Sequence, residues 1–315
     1  LGQPDTERYR AGDRIADKYV LVRALDSGGM GLVWAAHNVD LDVHVAIKLL
    51  RGELTATNAA DRLLSEARML ARLQHPGIVR VHDCGKTPHG DPFIVMELLD
   101  GECLADFMER TGRISAIDAV SLLLPVADAI RVAHDAGIVH RDLKPENIFL
   151  ANVGGRVQPK VLDFGIALAE FVGTRRTTHG AVLGSPAYMS PEQARGDDVG
   201  KPTDIWALSV VLFELVTGTL PFESDNYHAT LRAIIELTPP SITQLSAGDE
   251  LLAAIVERGM AKDPAVRYSS VRKLGMDLAQ WLFSHGVAED ASNVSLRTTW
   301  LSSPSDPPSS LSPVT

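Results

Sequence analysis

The first hundred residues alternate short apolar, β-prone runs with turns rich in glycine and aspartate. Tyr19–Leu25 (YVLVRAL) and Leu32–Ala36 (LVWAA) flank Asp26-Ser27-Gly28-Gly29-Met30-Gly31, which predicts a hairpin. Val43–Leu50 (VHVAIKLL) predicts another strand, and Ile78–Val81 and Phe93–Leu98 two more. Between them, residues 58–74 carry Leu63, Ala67, Leu70 and Leu73 at helical spacing, so one amphipathic helix is expected. Leu99-Asp100-Gly101 ends this pattern. From Ser115 the chain turns helical: Ser115 and Asp118 suit a capping box, Pro125 is expected to kink the helix, and Gly137 to cap its end. Ile148–Leu150 and Pro159–Leu162 predict two short strands joined across Asn152–Arg156. Ile205–Val216 (IWALSVVLFELV) is apolar on nearly every face yet shorter than the ~20 residues of a membrane span, so it predicts a buried central helix. Amphipathic helices are expected near 249–261 and 269–283.

The pattern therefore predicts an α+β chain with a β-rich part over 14–98 and a mainly helical part over 101–284. Residues 1–13 read as an irregular lead-in. Residues 285–315, rich in Ser, Pro and Thr, read as a linker or tail.

Composition narrows the partners. The 315 residues are 45% hydrophobic and 22% charged, which suits a globular chain with a sizeable core. A net charge of −10 argues against a broad basic surface for nucleic acid and favours basic peptides. Cys84 and Cys103 follow neither ligand nor disulfide spacing, as expected in a reducing, cytoplasmic compartment. No signal peptide and no membrane span is visible. The chain begins with Leu rather than Met, which leaves room for a longer protein and for membrane tethering through another segment.

Candidate chemistry gathers in His140-Arg141-Asp142-Leu143-Lys144-Pro145-Glu146-Asn147, a charged loop between an expected helix and strand. Three glycines in the first hairpin let backbone N–H groups approach a phosphate, although an ordinary hairpin would look the same. Lys48 lies inside a strand, and Glu66 falls on the inward stripe of the following helix. A carboxylate there needs a cation, and Lys48 is the nearest in sequence; the alternatives are a snorkelling lysine and a glutamate that reaches solvent. Asp163-Phe164-Gly165 puts an aspartate at a strand exit, suited to Mg²⁺ or to a simple turn. Residues 166–192 form a long hydroxyl-rich segment ending in GSPAYMSPE. Asp204 opens the apolar helix, where an acid suits the cap and the dipole.

Taken in order, the glycine loop, VAIK, HRDLKPEN, DFG and SPE resemble the eukaryotic-like (Hanks-type) serine/threonine protein kinases of bacteria over roughly 14–284. The resemblance implies a two-lobed protein kinase fold: a small antiparallel β-sheet lobe (14–98) with one regulatory helix and a larger, mainly helical lobe (101–284). It implies transfer of the ATP γ-phosphoryl group to protein Ser/Thr hydroxyls with Mg²⁺, or Mn²⁺ in its place. Gly28, Gly29 and Gly31 would cover the phosphates, and Val33, Ala46, Met96, Glu97, Leu99 and Phe149 would surround the adenine. Lys48 would hold the α- and β-phosphates and pair with Glu66. Asp142 would act on the substrate hydroxyl, Lys144 on the moving phosphoryl group, and Asn147 and Asp163 on the metal. His140 and Phe164, with Leu70 and Val81, would form an apolar stack between the lobes. Asp204 would brace the catalytic loop, Ser185 would meet Asp142 and Lys144, and Glu192 would pair with Arg267.

Arg141 before the catalytic aspartate is the family's arrangement for activation-loop phosphorylation, with Thr174, Thr177 and Thr178 available and autophosphorylation expected at Thr177 or Thr178. The expected partners are protein substrates, the chain itself and, as in some bacterial relatives, a homodimer. The departure from the pattern is Asp26, where the first loop glycine is expected; near phosphates it would weaken binding unless it faces solvent.

Overall fold

The computed structural model describes residues 8–28, 31–50, 59–164, 186–224 and 226–302, without the side chains of 27, 28, 50, 59–63 and 66. Six antiparallel strands run in the order β1-β2-β3-β4-β6-β5: β1 Arg14–Ile15, β2 Tyr19–Gly28, β3 Gly31–Asn38, β4 Val43–Leu50, β5 Val81–Lys86 and β6 Pro92–Glu97. Alternation sorts their side chains onto two faces. Leu32, Trp34, Ile47, Leu49, Phe93 and Val95 join Ile15, Tyr19 and Leu21 in a core behind the sheet. Direct pairing of Val33 with Lys48, Lys48 with Ile94 and Ala46 with Met96 puts these five on the opposite face. There Ile94 packs on Leu64 and Ala67 of α1 (Ala59–Leu70), the one helix of this lobe among the described residues.

The strand expected at Ile78–Val81 lies instead at Val81–Lys86. Residues 77–79 bridge to the large lobe: Val79 N–H donates to Val161 O at 3.0 Å and Val161 N–H to Gly77 O at 2.8 Å. The apolar run there belongs to the contact between lobes, whereas the true strand, HDCGK after Val81, hides among polar residues. The lead-in also packs: Tyr9 is buried, and its hydroxyl donates to Asp91 Oδ2 at 2.6 Å.

The large lobe is built on α3 (Ala116–Asp135) and α5 (Lys201–Thr217), with the short α4 (Pro191–Arg195) before α5 and α6 (Tyr227–Glu236) and α7 (Glu250–Gly259) after it. A short helix α2 (Leu104–Thr111) precedes them, and β7 (Gly101–Cys103) pairs with β8 (Ile148–Val153), which pairs with β9 (Arg156–Val161). Periodicity missed α2 because eight residues carry barely two turns of signal. Ser115 caps α3 by accepting the Asp118 N–H at 3.1 Å. Pro125 has no N–H to offer Ser121 O one turn back, and that carbonyl accepts the Ala291 N–H at 3.0 Å.

This bond marks a correction to the expected tail. Residues 285–302, after the helix α8 (Val271–Ser284), fold onto the large lobe: Leu296 is 0% and Trp300 1% exposed. The Trp300 ring lies so close over Gly275 that a Cβ there would collide with it. Asp290 closes the intervening turn by accepting the N–H groups of Ser292 and Val294. Two aromatic or aliphatic anchors in a polar stretch give no period, which is why the segment reads as linker. Residues 303–315 lie outside the described residues.

Candidate functional site

The charged loop sits between the lobes, and a buried acid in α5 sets its shape. Asp204 is fully buried and is the fourth residue of the helix, whose N-cap is Gly200, so it does not cap. Its Oδ2 accepts the His140 N–H at 2.8 Å, its Oδ1 the Arg141 N–H at 2.8 Å, and His134 Nε2 lies 2.7 Å from Oδ2. This three-point grip holds Arg141 at φ 66°, a left-handed conformation uncommon for a side chain of its size. His134 was not singled out in the sequence; a histidine in the last turn of an apolar helix was the available signal.

His140 is completely buried. Its Nδ1 accepts the Asp142 N–H at 3.3 Å, so Nε2 carries the hydrogen that goes to Leu162 O at 2.9 Å. Its ring lies 4.8 Å from that of Phe164, and Phe164 shares a buried cluster with Leu70, against which Val81 packs. Both nitrogens are thus engaged in structure, so the His140 ring is not free to act on a substrate hydroxyl. Asn147 Nδ2 donates to Asp142 O at 2.6 Å and to Asp142 Oδ2 at 3.1 Å, while Lys144 Nζ lies 3.3 Å from Oδ2.

Across the cleft, Lys48 Nζ meets Asp163 Oδ2 at 2.7 Å, and Asp163 sits at φ 39°. Lys48 therefore pairs with Asp163 here; the Glu66 side chain expected beside it lies outside the description, which places only its backbone on α1. Gly28 pairs directly with Gly31 at the hairpin end, and Asp26 is exposed. Gly29, Thr174, Thr177, Thr178 and Ser185 lie outside the described residues. Val33, Met96, Leu99 and Phe149 are half-buried and Ala46 buried. Glu97 N–H donates to Arg80 O at 3.0 Å, and its carboxylate takes Lys160 Nζ at 2.7 Å. Lys160, inside PKVLDF, carried no visible signal in the sequence.

Asp163 and the Asn147 amide offer oxygen donors of the kind Mg²⁺ takes. Among the described residues no three His, Cys, Asp or Glu side chains converge on a metal site. A hard cation here would thus draw its other ligands from phosphate and water, and the donor set fits that arrangement.

Below the loop, Arg267 is 2% exposed and grips Glu192 through Nη1–Oε1 at 2.7 Å and Nη2–Oε2 at 2.8 Å, while Thr203 Oγ1 donates to Glu192 Oε1 at 2.9 Å. Burial pushes the Glu192 carboxyl up, but the Arg267 and Thr203 hydrogen bonds outweigh it and hold the group below its usual range. A depressed carboxyl adds stability above its unfolded value, lost as pH falls toward the folded one. Arg267→Ala should cost about 3–5 kcal/mol by stranding a buried carboxylate. It should also flatten the fall in stability below about pH 4.5, read by urea unfolding from pH 7 to 3.5; an unchanged acid limb would contradict this account. Gln193, another residue not foreseen, donates from Nε2 to Arg141 O at 2.7 Å and ties this region to the loop.

A depression of about 290 Å³ opens beside Pro145 and Glu146, with Met108, Glu109, Tyr188 and Glu214 on its wall. Tyr188 OH donates to Glu214 Oε2 at 2.7 Å, and burial followed by the charges of Glu146 and Glu223 holds the Glu214 carboxyl high despite that bond.

Comparison with known proteins agrees on one family. The model of the protein kinase domain matches residues 19–279. A probable serine/threonine-protein kinase of Corynebacterium efficiens is 41% identical over 84% of this chain and 41% of its own length. The serine/threonine-protein kinase PknA of Mycobacterium tuberculosis is 38% identical over 83% of this chain and 60% of its own. The chain thus spans between 41% and 60% of the length of these two relatives. The crystal structure of the Mycobacterium tuberculosis PknI kinase domain superposes with a TM-score of 0.70 at 26% identity, covering 86% of this chain and 99% of that one.

Proposed function

The chain belongs to the protein kinase family, in the branch of the bacterial eukaryotic-like serine/threonine kinases, and on that premise we propose that it transfers the γ-phosphoryl group of ATP to Ser/Thr hydroxyls of proteins. Family members use ATP and a divalent metal ion; Mg²⁺ is the ion proposed here. The observation that carries the reading is the convergence of Lys144 Nζ and Asn147 Nδ2 on Asp142 Oδ2, at 3.3 and 3.1 Å, together with the Lys48–Asp163 pair.

Phosphoryl transfer leaves a protein little covalent chemistry, so positioning and charge neutralisation dominate. Asp142 would orient the acceptor hydroxyl and take its proton as the new oxygen–phosphorus bond forms and the bond to ADP breaks. Lys144 would offset charge on the moving group, and Lys48 on the phosphates that remain. Asn147 and Asp163 would hold the metal ion, which when bound neutralises phosphate charge. The exposed position of Asp26 supports its tolerance in the glycine loop.

Buried Arg141 Nε has no hydrogen-bond partner among the described residues. That supports a phosphothreonine as its partner in an active state, through charge of about −1.5 to −2. The depression walled by Glu109, Glu146 and Glu214 supports a preference for basic residues beside the acceptor. Glu102, on the strand before α2, does not add to it, because it is paired with Arg110 at 2.5 Å. Free, half-buried Cys84 and Cys103 suit a cytoplasmic location, and no helix of the described residues is long and apolar enough to cross a membrane. Homodimerisation stays part of the proposal through autophosphorylation in trans.

Incubation with γ-labelled ATP, Mg²⁺ and a generic protein substrate should label Ser/Thr on the substrate and Thr177 or Thr178 on the chain, read by phosphopeptide mapping. Nucleotide binding without any label would replace this reading with that of a conformational scaffold. An active sample with both threonines unmodified would remove the autophosphorylation claim alone.

A further inference from the structure

One buried lysine outside the reacting set holds the side chain of a residue whose backbone is proposed to meet the adenine. Lys160 lies in β9, in the large lobe, with its side chain 10% exposed, and its Nζ reaches Glu97 Oε1 at 2.7 Å at the end of β6, in the small lobe. The same oxygen accepts the Arg80 N–H at 2.8 Å, and Arg80 O accepts the Glu97 N–H at 3.0 Å. Glu97 is thereby closed into a ring with Arg80 through both its main chain and its carboxylate, and Lys160 locks that ring from the other lobe. Lys160 also stands directly opposite Phe149 in the β8–β9 pairing, so both side chains leave the same face.

We infer that Lys160 is a positioning residue for nucleotide binding, acting through Glu97 to fix the peptides between Glu97 and Leu99 that meet the adenine edge. This rests on the proposed nucleotide site. A carboxylate held by one cation and one N–H in a mostly buried place keeps a single orientation. Without the cation it turns toward water, and the ring with Arg80 loses the contact that fixes its plane. Lys160 touches none of Asp142, Lys144 or Asn147 in the hydrogen bonds and ion pairs described, so its effect should fall on binding rather than on the chemical step.

The test uses the whole 315-residue chain. Lys160→Met should raise both KM for ATP and the calorimetric Kd for Mg²⁺·ATP about tenfold, the scale of one charge-assisted hydrogen bond, with kcat changed less than about twofold. Lys160→Arg should restore most of the affinity, because a cation returns to Glu97. If Lys160→Met does not fold, Glu97→Gln carries the test: it keeps shape and the Arg80 contact, and it must shift Kd in the same direction. Unchanged KM and Kd in a folded Lys160→Met, a loss in kcat alone, or no rescue by arginine would overturn the inference. If the wild type binds nucleotide but transfers nothing, Kd still decides the role of Lys160, while the kinase reading fails on its own.

Discussion

Asp142→Asn should lower the rate of phosphoryl transfer about 10³-fold, within the range that one positioned acid–base group supplies. Asparagine matches aspartate in size, so the contact between Asn147 Nδ2 and the main-chain oxygen of residue 142, 2.6 Å in the wild type, should persist. The change removes the negative charge and basicity that would take the hydroxyl proton, on the carboxylate whose Oδ2 Lys144 Nζ faces at 3.3 Å and Asn147 Nδ2 at 3.1 Å. The Lys48–Asp163 pair is untouched, so nucleotide affinity should stay within about twofold of wild type. Single-turnover transfer from labelled ATP and a parallel binding titration separate the two. Equal incorporation by wild type and variant would rule out the role given to Asp142.

The second large effect is on stability, at a place with no chemistry. Trp300→Ala should destabilise the chain by about 3–5 kcal/mol, as for other fully buried aromatic side chains. That corresponds to a fall of about 10 °C in Tm. Gly275→Ala should act in the same direction from the other side of the contact, because its added methyl meets the Trp300 ring. Truncation after Ser284 should be at least as damaging, since it also removes Leu296 and the Ala291 bond to Ser121. Thermal unfolding by circular dichroism decides: three melting points equal to wild type would return residues 285–302 to the status of a linker.

Much of the architecture was legible because it rests on periodicity. The alternation in VHVAIKLL placed Ala46 and Lys48 on one face, and the unbroken apolarity of IWALSVVLFELV could only be a buried helix. The candidate catalytic loop stood out for a different reason: an eight-residue stretch so crowded with charge is too costly to assemble without a use. What stayed hidden depends on contacts between residues far apart. Nothing near Asp204 in sequence distinguishes an acid at a helix start from one that grips two N–H groups of a distant loop. Lys160 and Glu97 are 63 residues apart and look like ordinary surface charges until the lobes close around them. The strand at Val81–Lys86 escaped because its pattern is polar, with a register shift between Val81 and Asp83 that breaks the alternation. Leu296 and Trp300 escaped because two anchors make no period.

Pro125 has a consequence for the order in which this chain can be completed. The gap it leaves in the α3 hydrogen-bond ladder, at Ser121 O, is filled by Ala291. On the ribosome, synthesis proceeds from the N-terminus, and α3 emerges long before that donor exists. The central helix of the large lobe therefore waits, one carbonyl short, for nearly the last described segment to arrive. The final bond of an early helix is in this way assigned to a late turn, and docking of the C-terminal segment marks the point at which the lobe is whole.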